Sequence, residues 1–298
     1  MLRQLRYVVT VAELKNFTRA AELLHVSQPA LSQQIRQLER ELGAALFERG
    51  GRMVMLTEFG RVYIEHAKQA LGHLEAGKRA LHDVQSLTSG LLRFAYTPTF
   101  AEYLVEPVLR RFREVYPSIA INAFELPLDE IERCLERDEL DVGIGFTDVR
   151  SDELDVKPIF AERTALLVAA GHELSTRQHA VTPSELQDIP LVLLSPEFVV
   201  RRFADAYFRA NQINPSVLVQ SNAVGTVLKL VKHSRLATIL PVAVLREHHG
   251  VVSVPVEPPL PQRTVALLMR KRQSRIYAAT ALSDVLATFV ASEGLSDS

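Results

Sequence analysis

The stretch Phe17-Thr18-Arg19-Ala20-Ala21-Glu22-Leu23-Leu24-His25-Val26-Ser27-Gln28-Pro29-Ala30-Leu31-Ser32-Gln33-Gln34-Ile35-Arg36 decides how the N-terminal end of this chain is read. Phe17, Ala20, Ala21 and Leu24 recur at helical spacing, as Leu5, Val8, Val9 and Ala12 do before a break at Lys15-Asn16. Thr18 with Glu22 nearby marks a helix start, and His25-Val26-Ser27 ends that helix just before another begins. The next helix takes Ser27 as N-cap and Pro29 in its first turn, where a missing N–H costs nothing, and Gly43 stops it. The pattern is helix, tight turn, helix.

On the third helix Leu31, Ile35, Leu38 and Leu42 form one apolar stripe, so Gln28, Pro29, Ser32, Gln33 and Arg36 face the other way. A solvated face is ordinarily rich in Glu and Lys, yet no acid occurs here before Glu39. Such a face suits the DNA major groove, where Gln pairs with adenine, Ser with several bases, and Arg with guanine or phosphate. Beyond Gly43, Leu46-Phe47-Glu48-Arg49-Gly50-Gly51-Arg52-Met53-Val54-Met55-Leu56-Thr57 reads as an apolar anchor, a basic glycine turn and a short strand, that is, a wing. Arg49 and Arg52 flank glycines that permit close backbone approach, which places them to clamp phosphate or enter a minor groove; a plain hairpin turn with surface arginines is the alternative.

Phe17-Thr18-Arg19-Ala20-Ala21, Ser27-Gln28-Pro29-Ala30-Leu31-Ser32, Leu46-Phe47-Glu48-Arg49 and Leu56-Thr57 together resemble the LysR-type regulators, and the likeness extends over the whole chain in length and layout. The resemblance implies a winged helix-turn-helix over 1–58 that binds double-stranded operator DNA through Thr18, Ser27, Gln28, Pro29, Ser32, Gln33, Arg36, Arg49 and Arg52. It also implies RNA polymerase as a further partner. Val26 to Glu39, Gly77 to Val84, Thr97 to Phe100, Asp138 to Ile144, Leu191 to Ser195 and Pro258 to Thr264 are similar to the branch of the family that controls cyanate degradation. That likeness implies an activator of a small catabolic operon, with cyanate as its small anionic effector. A regulator answering to another small anion or carboxylate, or acting mainly as a repressor, is the alternative.

From Glu58 to about Leu87 there is no proline, and Tyr63, Ala67, Ala70, Leu74, Gly77, Leu81 and Val84 alternate in steps of four and three. A heptad seam of this length predicts a linker helix over 59–89 that pairs with a second copy, giving a homodimer or homotetramer; packing on its own domain is the alternative. His66 and His73 lie seven apart on it and read as surface residues rather than a metal site.

At 298 residues and 47% hydrophobic content the chain can bury two or three cores. No apolar run is long enough to span a membrane and the N-terminus lacks a cleavage signal, so a cytoplasmic protein is expected. The single cysteine, Cys134, has no ligand-like neighbour and reads as structural. Residues 1–90 hold 12 Lys+Arg against 9 Asp+Glu, and the remainder 22 against 26, so the net −1 divides into +3 and −4. This asymmetry favours a polyanion at the N-terminal end only weakly.

Over 90–298 short apolar runs alternate with helical stretches, predicting an α/β effector domain of two lobes like the periplasmic binding proteins. Lobe I is expected at 90–162 and 264–298, lobe II at 163–263, with the chain crossing near Phe160 and Arg263. Ligands in such folds lie outside the carboxyl ends of strands. Those positions hold Thr97, Pro98, Thr99 and Phe100 after the first strand, Phe146 after the third, and Ser195, Phe198, Ser221 and Asn222 in the second lobe. Thr99, Ser195 and Asn222 are expected at helix starts, where free N–H groups favour an anion; an ordinary capping box at Thr99 and Glu102, an N-cap at Ser195-Pro196, and core roles for the phenylalanines are the plainer readings. No nucleophile-base set, paired acid, phosphate loop or metal spacing occurs, so neither catalysis nor a cofactor is expected.

Overall fold

The computed structural model describes residues 1–48, 54–85, 90–271 and 277–295, with the side chains of 75, 76 and 78–85 left aside. The chain divides into two compact units, Met1–His82 and Asp83–Ser298.

In the first unit, α1 (Leu2–Leu14), α2 (Phe17–Leu23) and α3 (Gln28–Leu42) pack around Val8, Val11, Ala20, Leu31, Ile35 and Leu38. Asn16, not Thr18, starts α2: its side chain accepts from the Arg19 N–H, and Lys15 in left-handed conformation (φ 48°) ends the helix before it. Leu42 is exposed, so the stripe on α3 closes at Leu38. Leu46 and Phe47 complete this core, and Phe17 meets Phe47 edge to face at 5.5 Å. The helix α4 (Glu58–Gln85) follows, its first turn fastened by the Gly60 N–H to Thr57 Oγ1, whose own hydroxyl donates to the Ala45 carbonyl.

The linker seam behaves differently from expectation in its first half. Ala67 is buried, and Tyr63 and Ala70 pack against the core of the same unit with Ile64. Among the described side chains, the large apolar residues that α4 leaves exposed are Phe59, Val62 and Leu74. Leu81 and Val84 lie outside the described side chains.

In the second unit β1 (Gly90–Tyr96), β2 (Ile119–Glu125), β3 (Val142–Phe146), β4 (Leu154–Glu162) and β10 (Arg263–Arg270) form one sheet in the order β2-β1-β3-β10-β4, with β10 antiparallel to both neighbours. Its helices are α5 (Val105–Val115), α6 (Leu128–Glu136) and α10 (Tyr277–Ser292). The second lobe holds β5 (Thr164–Ala169) between β8 (Thr238–Pro241) and β9 (Val251–Val254), and β6 (Leu191–Leu194) parallel to β7 (Val217–Ser221). The Leu191–Ala237 bridge joins these two sheets, and α7 (Pro183–Leu186), α8 (Val199–Ala210) and α9 (Val224–Lys232) cover them.

The acidic turn Asp138-Glu139-Leu140-Asp141 is structural. Buried Asp141 takes both the backbone N–H and the guanidinium of Arg93, at 2.7 Å each, which ties β1 to β3. Asp138 takes Arg270 at 2.7 Å. The lobes are joined where β4 runs into β5 and where the segment after β9 enters β10. At that crossing Glu162 and Arg263 face each other in register, both buried and paired by their side chains.

Candidate functional sites

The first site is the outward face of α3. Ser27 caps the helix, its hydroxyl accepting from the Ala30 N–H at 3.4 Å, and Gly43 ends it at φ 70°. Leu31, Ile35 and Leu38 turn inward, which leaves Gln28, Pro29, Gln33 and Arg36 exposed and Ser32 half-buried. Gln28 Nε2 donates to Ser32 Oγ at 3.0 Å, aligning an amide and a hydroxyl on consecutive turns. Thr18 is exposed near the start of α2. The face is therefore a row of neutral donors and acceptors with one guanidinium.

Glu39, on the last turns of α3, sets the path of the chain that follows. Glu39 Oε1 accepts the N–H groups of Leu46 at 2.8 Å and Phe47 at 3.3 Å, fixing the direction in which the chain leaves α3. Phe47 then pairs with Leu56 in an antiparallel bridge. Arg49 and Arg52 lie outside the described residues.

The second site is the interlobe cleft. Thr97 and Pro98 follow β1, and with Pro127, Leu128, Glu197 and Phe198 they line a cavity of about 20 Å³. That is the room of roughly one water molecule. Thr97 is 3% exposed and its Oγ1 has no hydrogen-bond partner. Two contacts close the cleft at its rims: Arg202 on α8 lies 3.7 Å from Asp129 on α6, and His248 Nε2 lies 2.8 Å from Glu102 Oε2. Glu125 lies near Glu102, and burial followed by the Glu102 charge pushes its carboxyl above the ordinary range. His248 is thus an interlobe contact.

The expected helix starts fall elsewhere. Thr99 is buried inside a 3-10 turn (Pro98–Glu102) whose cap position is Thr97, so the stretch from Phe100 to Tyr116 is a turn followed by α5. Phe198, not Ser195, precedes α8, because a turn at Pro196-Glu197 intervenes. Ala223, not Asn222, precedes α9; Asn222 is exposed and Ser221 Oγ accepts the Ala223 N–H. Phe100 and Phe146 are fully buried partners, 5.3 Å apart, in the lobe I core. The cavity thus brings together Thr97, Pro98 and Phe198 from the expected set, and adds Pro127, Leu128 and Glu197.

Among the described residues no helix is long and apolar enough to cross a membrane, and no cluster of His, Cys, Asp and Glu could hold a metal.

Known proteins resemble both units of the chain. Residues 2–61 match the family described as bacterial regulatory helix-turn-helix protein, lysR family, and residues 85–291 match the LysR substrate binding domain. A hydrogen peroxide-inducible genes activator of Dickeya chrysanthemi is 30% identical over 272 residues, 90% of this chain and 89% of that protein. The structure of a full-length OxyR variant from Pseudomonas aeruginosa superposes with a TM-score of 0.74 at 28% identity, covering 96% of this chain and 94% of that one. Full-length CbnR, solved with its target DNA, shares the fold with a TM-score of 0.72 at 21% identity, covering 97% and 99%. The chain belongs to the LysR family of DNA-binding transcriptional regulators, which are not enzymes.

Proposed function

We propose that this regulator activates a small catabolic operon in response to a small anion held between its lobes, with cyanate the effector that the sequence resemblance favours. The observation that carries the reading is the buried hydroxyl of Thr97, without a partner, on a cavity that admits little more than a water molecule. A buried polar atom left unsatisfied is costly, so a compact ligand that supplies a partner is favoured over a bulky one. In this reading 1–58 contacts the operator, 59–89 pairs two copies into a homodimer that can assemble to a tetramer, and 90–298 senses the effector. Gln28, Ser32, Gln33 and Arg36 would read bases, with Thr18, Ser27, Pro29, Arg49 and Arg52 holding the backbone. Ligand binding would change the spacing of paired DNA-binding units, hence DNA bending and contact with RNA polymerase.

The peroxide response in the name of the Dickeya chrysanthemi relative does not transfer through an intramolecular disulfide. The chain has one cysteine, and an intramolecular disulfide needs two.

The test is thermal unfolding of the protein against cyanate, formate, acetate and nitrate at constant ionic strength. A ligand at 100 times its Kd stabilises by about 2.7 kcal/mol. Stabilisation by cyanate alone supports the full reading; stabilisation by another anion keeps the cleft and replaces the effector; no response to any anion overturns the small-anion reading.

A further inference from the structure

The sheet order β1-β3-β10-β4 aligns four side chains along one edge of lobe I: Thr97 just after β1, Phe146 ending β3, Arg263 opening β10 and Glu162 ending β4. Because β10 runs antiparallel to its neighbours, its beginning lies beside their carboxyl ends, the edge at which ligands of such sheets bind. The first turns of α8 lie along the same edge. Val199 and Phe198 border the cavity beside Thr97, and Phe203 lies 5.6 Å from the Arg263 guanidinium. The Phe146 ring covers that guanidinium at 4.2 Å.

Arg263 is 3% exposed, yet it uses only one of its three nitrogens. Nη2 donates to Glu162 Oε2, and Glu162 Oε1 accepts the Tyr103 hydroxyl at 2.5 Å. Burial and the Glu162 charge hold the Tyr103 phenol well above its ordinary range, so it remains a donor. Nε and Nη1 of Arg263 are buried with no partner. A guanidinium bound to a carboxylate frequently turns its paired edge to it and makes two bonds. Here one bond anchors the group, and Nε and Nη1 remain unpaired, with the Phe146 and Phe203 rings 4.2 and 5.6 Å from the guanidinium carbon.

We propose that Arg263 is the specificity-determining residue of the effector cleft, offering Nε and Nη1 to the oxygens of a small carboxylate or comparable anion. This rests on the reading of the cleft as the effector site. Glu162 positions the guanidinium through Nη2 and, by neutralising it, restrains affinity so that the site responds to accumulated ligand rather than to traces. Thr97 lies two strands away, about 10 Å at ordinary strand spacing.

The experiment is isothermal titration of the full-length protein with cyanate, formate, acetate and succinate, using wild type, Glu162→Gln and Arg263→Lys. Glu162→Gln preserves shape and removes the competing charge, so an anion on Arg263 binds it about tenfold or more tightly than wild type. Arg263→Lys keeps the charge and loses the fork, so binding falls about tenfold or more. If wild type binds an anion and both variants bind it equally well, the Arg263 assignment is overturned while the effector cleft stands. If neither wild type nor Glu162→Gln binds any of the four, the cleft reading falls and the assignment with it. Should Arg263→Lys fail to fold, the direction of the Glu162→Gln change decides alone: tighter binding supports the assignment, unchanged or weaker binding overturns it.

Discussion

Cys134 shows how one residue separates this chain from what its relatives' names suggest. It sits on α6, half-buried, with Sγ 3.7 Å from Glu130 Oε1. Burial, then Glu139 and Glu130, push the thiol up to about 12. The thiolate is the reactive species, so at neutral pH only a minute fraction of molecules is poised to react. We expect the folded protein to be labelled by a thiol reagent far more slowly than the urea-unfolded chain. We also expect hydrogen peroxide to leave operator binding unchanged, and Cys134→Ser to respond to effector as wild type does. Rapid labelling at pH 7, or a peroxide response that Cys134→Ser abolishes, would contradict this account.

At the scale of elements, α3 has a buried apolar face and an exposed polar face, and the two make separable predictions. Ile35→Ala should cost about 2–5 kcal/mol of stability, because the side chain is buried at 3% exposure and leaves a cavity. Arg36→Ala should leave the melting temperature unchanged and weaken operator binding by about 1–3 kcal/mol if it reads a base; unaltered binding would remove it from the interface. Gly60 in α4 makes the complementary point about backbone. A Cβ there would stand 2.0 Å from the Leu46 carbonyl oxygen, so Gly60→Ala should destabilise the N-terminal unit by about 1–3 kcal/mol or more, read by thermal unfolding. The helix α3 was legible in sequence because period, N-cap, first-turn proline and terminal glycine agree. The strand β4 was not: Lys157-Pro158-Ile159 interrupts its alternation, and the register against β10 shifts at that point, as proline on an edge strand with a bulge allows. The cleft was half legible for a similar reason. Thr97 and Phe198 follow from strand ends, whereas Glu162 and Arg263 meet across 101 residues, and no local pattern announces a pair made by topology.

At the scale of the molecule the question is how two recognition helices come to act together. The heptad reading puts the pairing seam on Tyr63, Ala67 and Ala70, but these already pack on the core of their own unit, with Ala67 only 3% exposed. A residue cannot serve both surfaces, so pairing through the first half of α4 must use what remains outside. Phe59 is 69% and Val62 57% exposed, large apolar side chains three apart on one helical face, and Leu74 continues the exposed set at 48%. Such side chains are stabilised by a partner of the same kind, which is what an isologous dimer supplies. Phe59→Glu with Val62→Glu should therefore leave the N-terminal unit folded by circular dichroism while shifting the protein toward monomer in sedimentation. Operator affinity should fall by a factor on the order of a hundred, because the second half-site is then bound without the advantage of linkage. Ala67→Glu should instead unfold the unit, since it buries a charge in that core. If the double variant sediments as wild type does, pairing lies beyond Leu74 or outside α4, and the exposed Phe59 and Val62 need another explanation.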